Sequence, residues 1–95
     1  MGNRASVSFK KGDDESVAVF HHWGGKEFHE EAGAFAEAFR AKYPASFSDP
    51  FSRREPNAVL VQFIQSLEKD NHSVYLGKDR NDGDNSDAGH LVISL

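Results

Sequence analysis

The chain has 95 residues, no cysteine, and eleven basic against fifteen acidic residues for a formal charge of −4. That length holds one domain, spanning 1–95, whose core is modest because a chain this size buries only roughly 60–65% of its unfolded surface. The missing thiols exclude a disulfide framework, thiolate metal centres and cysteine nucleophiles, and the acid excess argues against nucleic acid as partner.

The opening, Met1-Gly2-Asn3-Arg4, lacks the apolar run of a signal peptide, and no apolar stretch is long enough to cross a bilayer. The expectation is a cytoplasmic protein with no membrane partner. Met1-Gly2 with Ser6 matches the spacing of a myristoylation signal, but the same residues read better as a strand. Arg4 to Lys10 alternates polar and apolar, the period of a half-buried strand with Val7 and Phe9 inward and Arg4, Ser6, Ser8 and Lys10 outward. Lys11 to Glu15 reads as a hairpin turn around Gly12. Ser16 to Trp23 is the second strand, and two faces are open to it. Either Val17, Val19, His21 and Trp23 share a face, or Ala18, Phe20 and His22 face the helices; its β-branched and aromatic character predicts cover on both sides over much of its length.

Gly24-Gly25 ends that strand. From Lys26 to Tyr43, the residues Phe28, Ala32, Phe35, Ala36, Phe39 and Tyr43 recur at helical spacing and form one apolar stripe. Pro44 stops this helix. A linker rich in Ser, Pro and Phe runs from Ala45 to Arg54, and Pro56 suits the first turn of a second helix. Val59, Leu60, Phe63, Ile64 and Leu67 give that helix its stripe, and Asp70-Asn71-His72 closes it. Ser73 to Lys78 is a short third strand, Asp79 to Gly89 a polar loop, and His90 to Leu95 a fourth strand apolar enough to be central. The order is ββααββ, an α+β domain. Its simplest packing is a four-stranded, mainly antiparallel sheet formed by two hairpins, with both helices on one face.

Gly2-Asn3-Arg4-Ala5, then His22-Trp23-Gly24-Gly25, then Asp84-Asn85 before Gly89-His90-Leu91-Val92-Ile93 form a set of short motifs spread over most of the chain. The set resembles a family of small, uncharacterised bacterial and phage-associated proteins with an N-terminal Gly-Asn-Arg-Ala and a Trp-Gly-Gly hairpin-to-helix junction. His21 departs from that pattern, where an aliphatic residue is usual. The resemblance implies an accessory or mobile-element protein and carries no activity, substrate or cofactor with it.

Three clusters bear on chemistry. His22 and His29, with Glu30 nearby, offer two imidazoles and a carboxylate at the strand-to-helix corner, while adjacent His21 and His22 point to opposite faces of a strand. Gly24-Gly25-Lys26 places free N–H groups and an ammonium at a helix start, as an anion site would. Asp79, Asp82, Asp84 and Asp87 crowd one loop with hard oxygen ligands, but the EF-hand register fails, and turn chemistry explains the same residues. No cofactor motif and no nucleophile elbow is present. The reading is a non-catalytic interaction or accessory protein whose partner is another protein or a second copy of the chain. The surface expected to dock it is Val17, Val19, His21 and Trp23, on a sheet face with no cover from the chain itself. The alternatives are a ligand- or metal-binding domain using the His22/His29 corner or the Asp79–Asp87 loop, and third a small hydrolase or nuclease.

Overall fold

The computed structural model describes residues 3–43, 54–67 and 74–95. The order is β1 (Ala5–Lys11), β2 (Asp14–Glu15), β3 (Ala18–His21), α1 (Gly25–Lys42), α2 (Pro56–Ser66), β4 (Val74–Gly77) and β5 (Gly89–Ser94). This is the expected α+β class, with one mainly antiparallel sheet and two helices. The Ala45–Arg54 linker lies outside the described residues except at Arg54, and the Asp70-Asn71-His72 helix end lies wholly outside them.

The first hairpin forms because Gly12, at φ 61°, turns the chain between the paired residues Lys11 and Asp14. The expected second strand is split in two. Two residues separate Val7 from Lys10 on β1, but three separate Glu15 from Val19 on the returning chain. The extra residue makes a β-bulge. Ser16 stitches it: its N–H donates to the Phe9 carbonyl at 2.8 Å, its hydroxyl accepts the Phe9 N–H at 2.9 Å, and the same hydroxyl donates to the Val17 carbonyl at 2.8 Å.

β1 is the central strand. It pairs with β3 on one edge and with β5 on the other, and the β1–β5 pairing is parallel. β4 pairs with β3, antiparallel. The last two strands therefore form no hairpin. They lie on opposite edges of the sheet, and β5, expected to be central, is an edge strand. Two strands that run in the same direction need a connection that travels back along the sheet. Residues 78–88 make that return.

Register sorts the side chains into two faces. Ala5, Val7 and Phe9 of β1 and Val19 of β3 face the helices and are fully buried. Phe28, Ala32, Ala36 and Phe39 of α1 and Val59, Leu60 and Phe63 of α2 close over them. Phe63 is the hub, its ring 5.8 Å from Phe9, 5.6 Å from Phe28 and 5.4 Å from Phe35. Phe35 is only half-buried, at the rim of the cluster. Leu76 is 58% exposed on the β4 edge. No helix among the described residues is long and apolar enough to cross a membrane.

Removing the hub leaves a cavity bounded by three rings. Phe63→Ala is expected to destabilise the domain by about 3–5 kcal/mol, against a total of about 5–15 for a small domain. Phe35→Ala is expected to cost less because its ring already meets water. Urea unfolding of the two variants measures both shifts, and equal midpoints would contradict this ranking.

Candidate functional site

On the face away from the helices, register aligns Tyr75, Phe20, Ser6 and His90 in one row across four strands. Ser8 stands one step further along β1, opposite Val92. Neither Phe20 nor the two serines has any exposed surface: the return connection lies on Phe20 and Ser6, and the Glu15 and His90 side chains bond to Ser8. A side chain at Gly83 would meet the Phe20 ring at 2.9 Å and the Tyr75 hydroxyl at 2.9 Å. Phe20 itself stacks on Tyr75 with centroids 5.1 Å apart. The face expected to be open is thus roofed by residues 78–88.

Beneath the roof, hydrogen bonds run in one direction. Asn85 Nδ2 donates to Ser6 Oγ at 2.8 Å and also to the Arg80 carbonyl at 3.0 Å. Ser6 Oγ lies 2.6 Å from His90 Nδ1, His90 Nε2 lies 2.9 Å from Ser8 Oγ, and Ser8 donates to Glu15 Oε2 at 2.7 Å. A carboxylate only accepts, so the Ser8 proton is committed to Glu15. Ser8 Oγ must then accept from His90, which puts the imidazole proton on Nε2. Nδ1 is left as an acceptor for the Ser6 hydroxyl. Every partner is satisfied by a neutral His90.

Burial holds the His90 pKa below its ordinary value; the Arg80 guanidinium and, more weakly, His29 push the same way, and Glu15 opposes them. The serine–imidazole pair has the composition of an activated nucleophile. Ser6 is fully buried and already accepts a bond from Asn85, so no substrate reaches its oxygen in this conformation.

The other histidines are placed apart. His29, on α1, reaches the Ser6 carbonyl at 3.1 Å and the Gly89 carbonyl at 3.2 Å; both accept, so its Nε2 carries the proton and clamps β1 to β5. His21 Nδ1 accepts the Trp23 N–H at 3.0 Å, and its ring lies 4.9 Å from Phe28 on the helix side. Burial, then the neighbouring His22, lowers the His21 pKa. His22 is exposed, its ring 5.5 Å from Tyr75. Among the described residues no three His, Asp or Glu side chains come together as a metal would require, so His22, His29 and Glu30 do not converge.

The loop aspartates accept backbone N–H groups, three of them within the loop's own turns and Asp87 from the start of β1. Asp79 accepts the Asn81 N–H, Asp82 the Lys78 N–H, Asp84 the Ser86 N–H and Asp87 the Arg4 N–H, at 2.8 to 3.0 Å. The bonds from Ser86 lead the causes that lower the Asp84 pKa, and Arg4, 3.3 Å away, adds to them.

The expected docking set divides. Val19 is fully buried under the helices, and Val17 packs at the edge of the same core with its N–H bonded to Asn57 Oδ1 at 3.0 Å. His21 faces α1. Only Trp23 remains outward, 61% exposed. It borders an open groove of about 360 Å³ whose other walls are Asn3, Gly24, Lys26, Glu27, Asp87 and Ala88. At the candidate anion site, Gly25 begins α1 at φ 53° and gives its N–H to the Asn3 carbonyl at 2.7 Å, while Asn3 takes its own bond to the His22 carbonyl at 2.9 Å. The Asn3 side chain occupies the space a Gly25 side chain would need.

The short motifs scattered along the sequence meet here: Asn3-Arg4 is bonded to the His22–Gly25 corner and to Asp84, Asp87 and Ala88 of the roof. Comparison of the chain with protein-family models, with curated proteins and with solved structures found no match.

Two substitutions probe these stitches. Ser8→Ala removes both the acceptor of His90 Nε2–H and the donor to Glu15, and is expected to cost about 1–3 kcal/mol. Gly25→Ala combines a left-handed backbone with a clash against Asn3, and is expected to cost more than the roughly 1 kcal/mol of an ordinary Gly-to-Ala mismatch. Thermal unfolding measures both, and a parental melting point for either variant would refute its assignment.

Proposed function

We propose that this chain is a small, non-catalytic interaction domain that docks a partner protein at the Trp23 corner. The supporting observation is Trp23 itself, with 61% of its surface left in water beside a groove. Burying a tryptophan removes about 150–250 Å² from water, at about 25 cal/mol per Å². That gain is available to a partner, and tryptophan is enriched among the residues that dominate interface energetics. Asn3, Lys26, Glu27 and Asp87 make a polar rim around it.

Charge describes the partner further. Asp79, Asp82 and Asp87 lie exposed on the roof, and the whole chain carries −4. A protein presenting an apolar pocket within a basic rim is steered to this surface, and a phosphate backbone is repelled.

The experiment compares capture of binding proteins by the parent and by Trp23→Ala, each first shown to melt cooperatively. Trp23 makes little core contact, so the variant is expected to keep its stability within about 0.5 kcal/mol. It is expected to lose its partner, while Lys26→Glu, which replaces a like charge facing a basic rim by an opposite one, is expected to keep or strengthen binding. Retention of the same partner by Trp23→Ala would refute the proposal. A parental dimer that dissociates in the variant would replace the foreign partner with a second copy of this chain.

A further inference from the structure

The bond chain under the roof accepts one protonation state of one residue. A second proton on His90 would sit on Nδ1, facing a Ser6 oxygen 2.6 Å away whose own proton now points at that nitrogen. Ser6 would have to turn its hydroxyl: its oxygen has a second lone pair for Nδ1–H beside the bond from Asn85, but its own proton would lose its acceptor in a fully buried position. Ser8 offers no relief because its proton is held by Glu15. The new cation would also lie in a side chain only 4% exposed.

The charged groups around His90 come from each element packed on it. Glu15 of β2 is 3.8 Å from Nε2 and favours the cation. Arg80 of the roof and His29 of α1 oppose it. β1 contributes only the two serines. Glu15 is partly exposed, at 32% of its side chain, so its attraction is weakened by water.

We propose that His90 is the catch of an acid-released roof: protonating its ring reverses the Ser6–His90 bond, leaving a buried cation and an unpaired Ser6 proton under the roof, and residues 78–88 lift from the sheet while the helix-side core stays folded. The division is physical. The roof is held to the sheet mainly by polar contacts, through Asn85, Tyr75 and Arg4, with apolar cover limited to Phe20 and Ala88, whereas the opposite face is held by a cluster of buried rings. Lifting the roof uncovers Phe20, Ser6 and His90. The sign follows from linkage. A histidine whose folded pKa lies below its unfolded one binds fewer protons when folded, so the closed state is favoured above about pH 6.5 and loses ground as pH falls toward the folded value.

The test is amide hydrogen exchange followed by NMR on the intact chain, from about pH 7.5 down to about pH 5, corrected for the chemical exchange rate. Protection of roof amides is expected to fall by at least about tenfold, in step with the titration of the His90 ring, while Phe9 and Phe63 amides keep theirs. His90→Gln, neutral throughout, is expected to show flat roof protection. Should that variant fail to fold, the parent decides alone, through the ring tautomer at neutral pH and the coincidence of the two titrations. The proposal is overturned by roof protection that is constant with pH, by equal loss in the core, by acid sensitivity surviving in His90→Gln, or by opening that tracks His21, His22 or His29.

Discussion

β1 is buried on both faces, and the rest of the molecule answers to that. Its sequence alternates apolar and polar residues, so one face can be closed by hydrocarbon and the other cannot. Ala5, Val7 and Phe9 need only the two helices. Ser6 and Ser8, equally inaccessible, each need hydrogen-bond partners, since a buried hydroxyl left unpaired costs about 1–3 kcal/mol. Those partners come from three separate places: Glu15 from the hairpin, His90 from an edge strand more than 80 residues away, and Asn85 from the roof. The polar network is therefore what makes a two-sided central strand possible in so short a chain.

The apolar half of this arrangement was legible in the sequence because it is periodic. Phe28, Ala32, Ala36 and Phe39 repeat at the helical interval, and the structure buries all four. The strand order was not legible, because the parallel pairing of β1 with β5 joins residues at opposite ends of the chain and leaves no local signal. Reading Ser6 and Ser8 as a wet face failed for the same reason. Alternation reports polarity, and polarity equals exposure only when nothing polar lies on top. The one available hint was His90, a polar residue in an otherwise apolar strand that matches the serines of another strand in parity.

The misplacement of Val17 and Val19 has a different cause. A single inserted residue at Ser16 changes which side chains of the returning strand face the helices relative to the hairpin tip. Sequence parity offered two faces for this strand, and the choice between them rested on which had cover. Both have it: Val19 lies under the helices and Phe20 under the roof, each fully buried. The expectation that this strand is covered on both sides was sound, and it was at odds with an open docking face. What survives of that face is Trp23, beyond the end of β3, where helix and roof border the ring without covering it.

The groove at Trp23 and the network at His90 share one element. Asp87 and Ala88 form a wall of the groove, and they are the last residues of the roof, three and two positions before His90. Asp87 accepts the Arg4 N–H and Ala88 donates to the Arg4 carbonyl, so this end of the roof is tied to the start of β1 beside Asn3, another groove wall. Two sites that lean on one segment are coupled in free energy to the extent that each state of the segment suits one of them. A partner that grips Asp87 in the closed geometry holds the roof down, and by reciprocity a protonated His90 weakens that grip. A partner that touches only Trp23 and Lys26, on the corner and helix side, leaves the two independent. The contribution of Asp87 to binding thus decides whether this domain has one function or a regulated one.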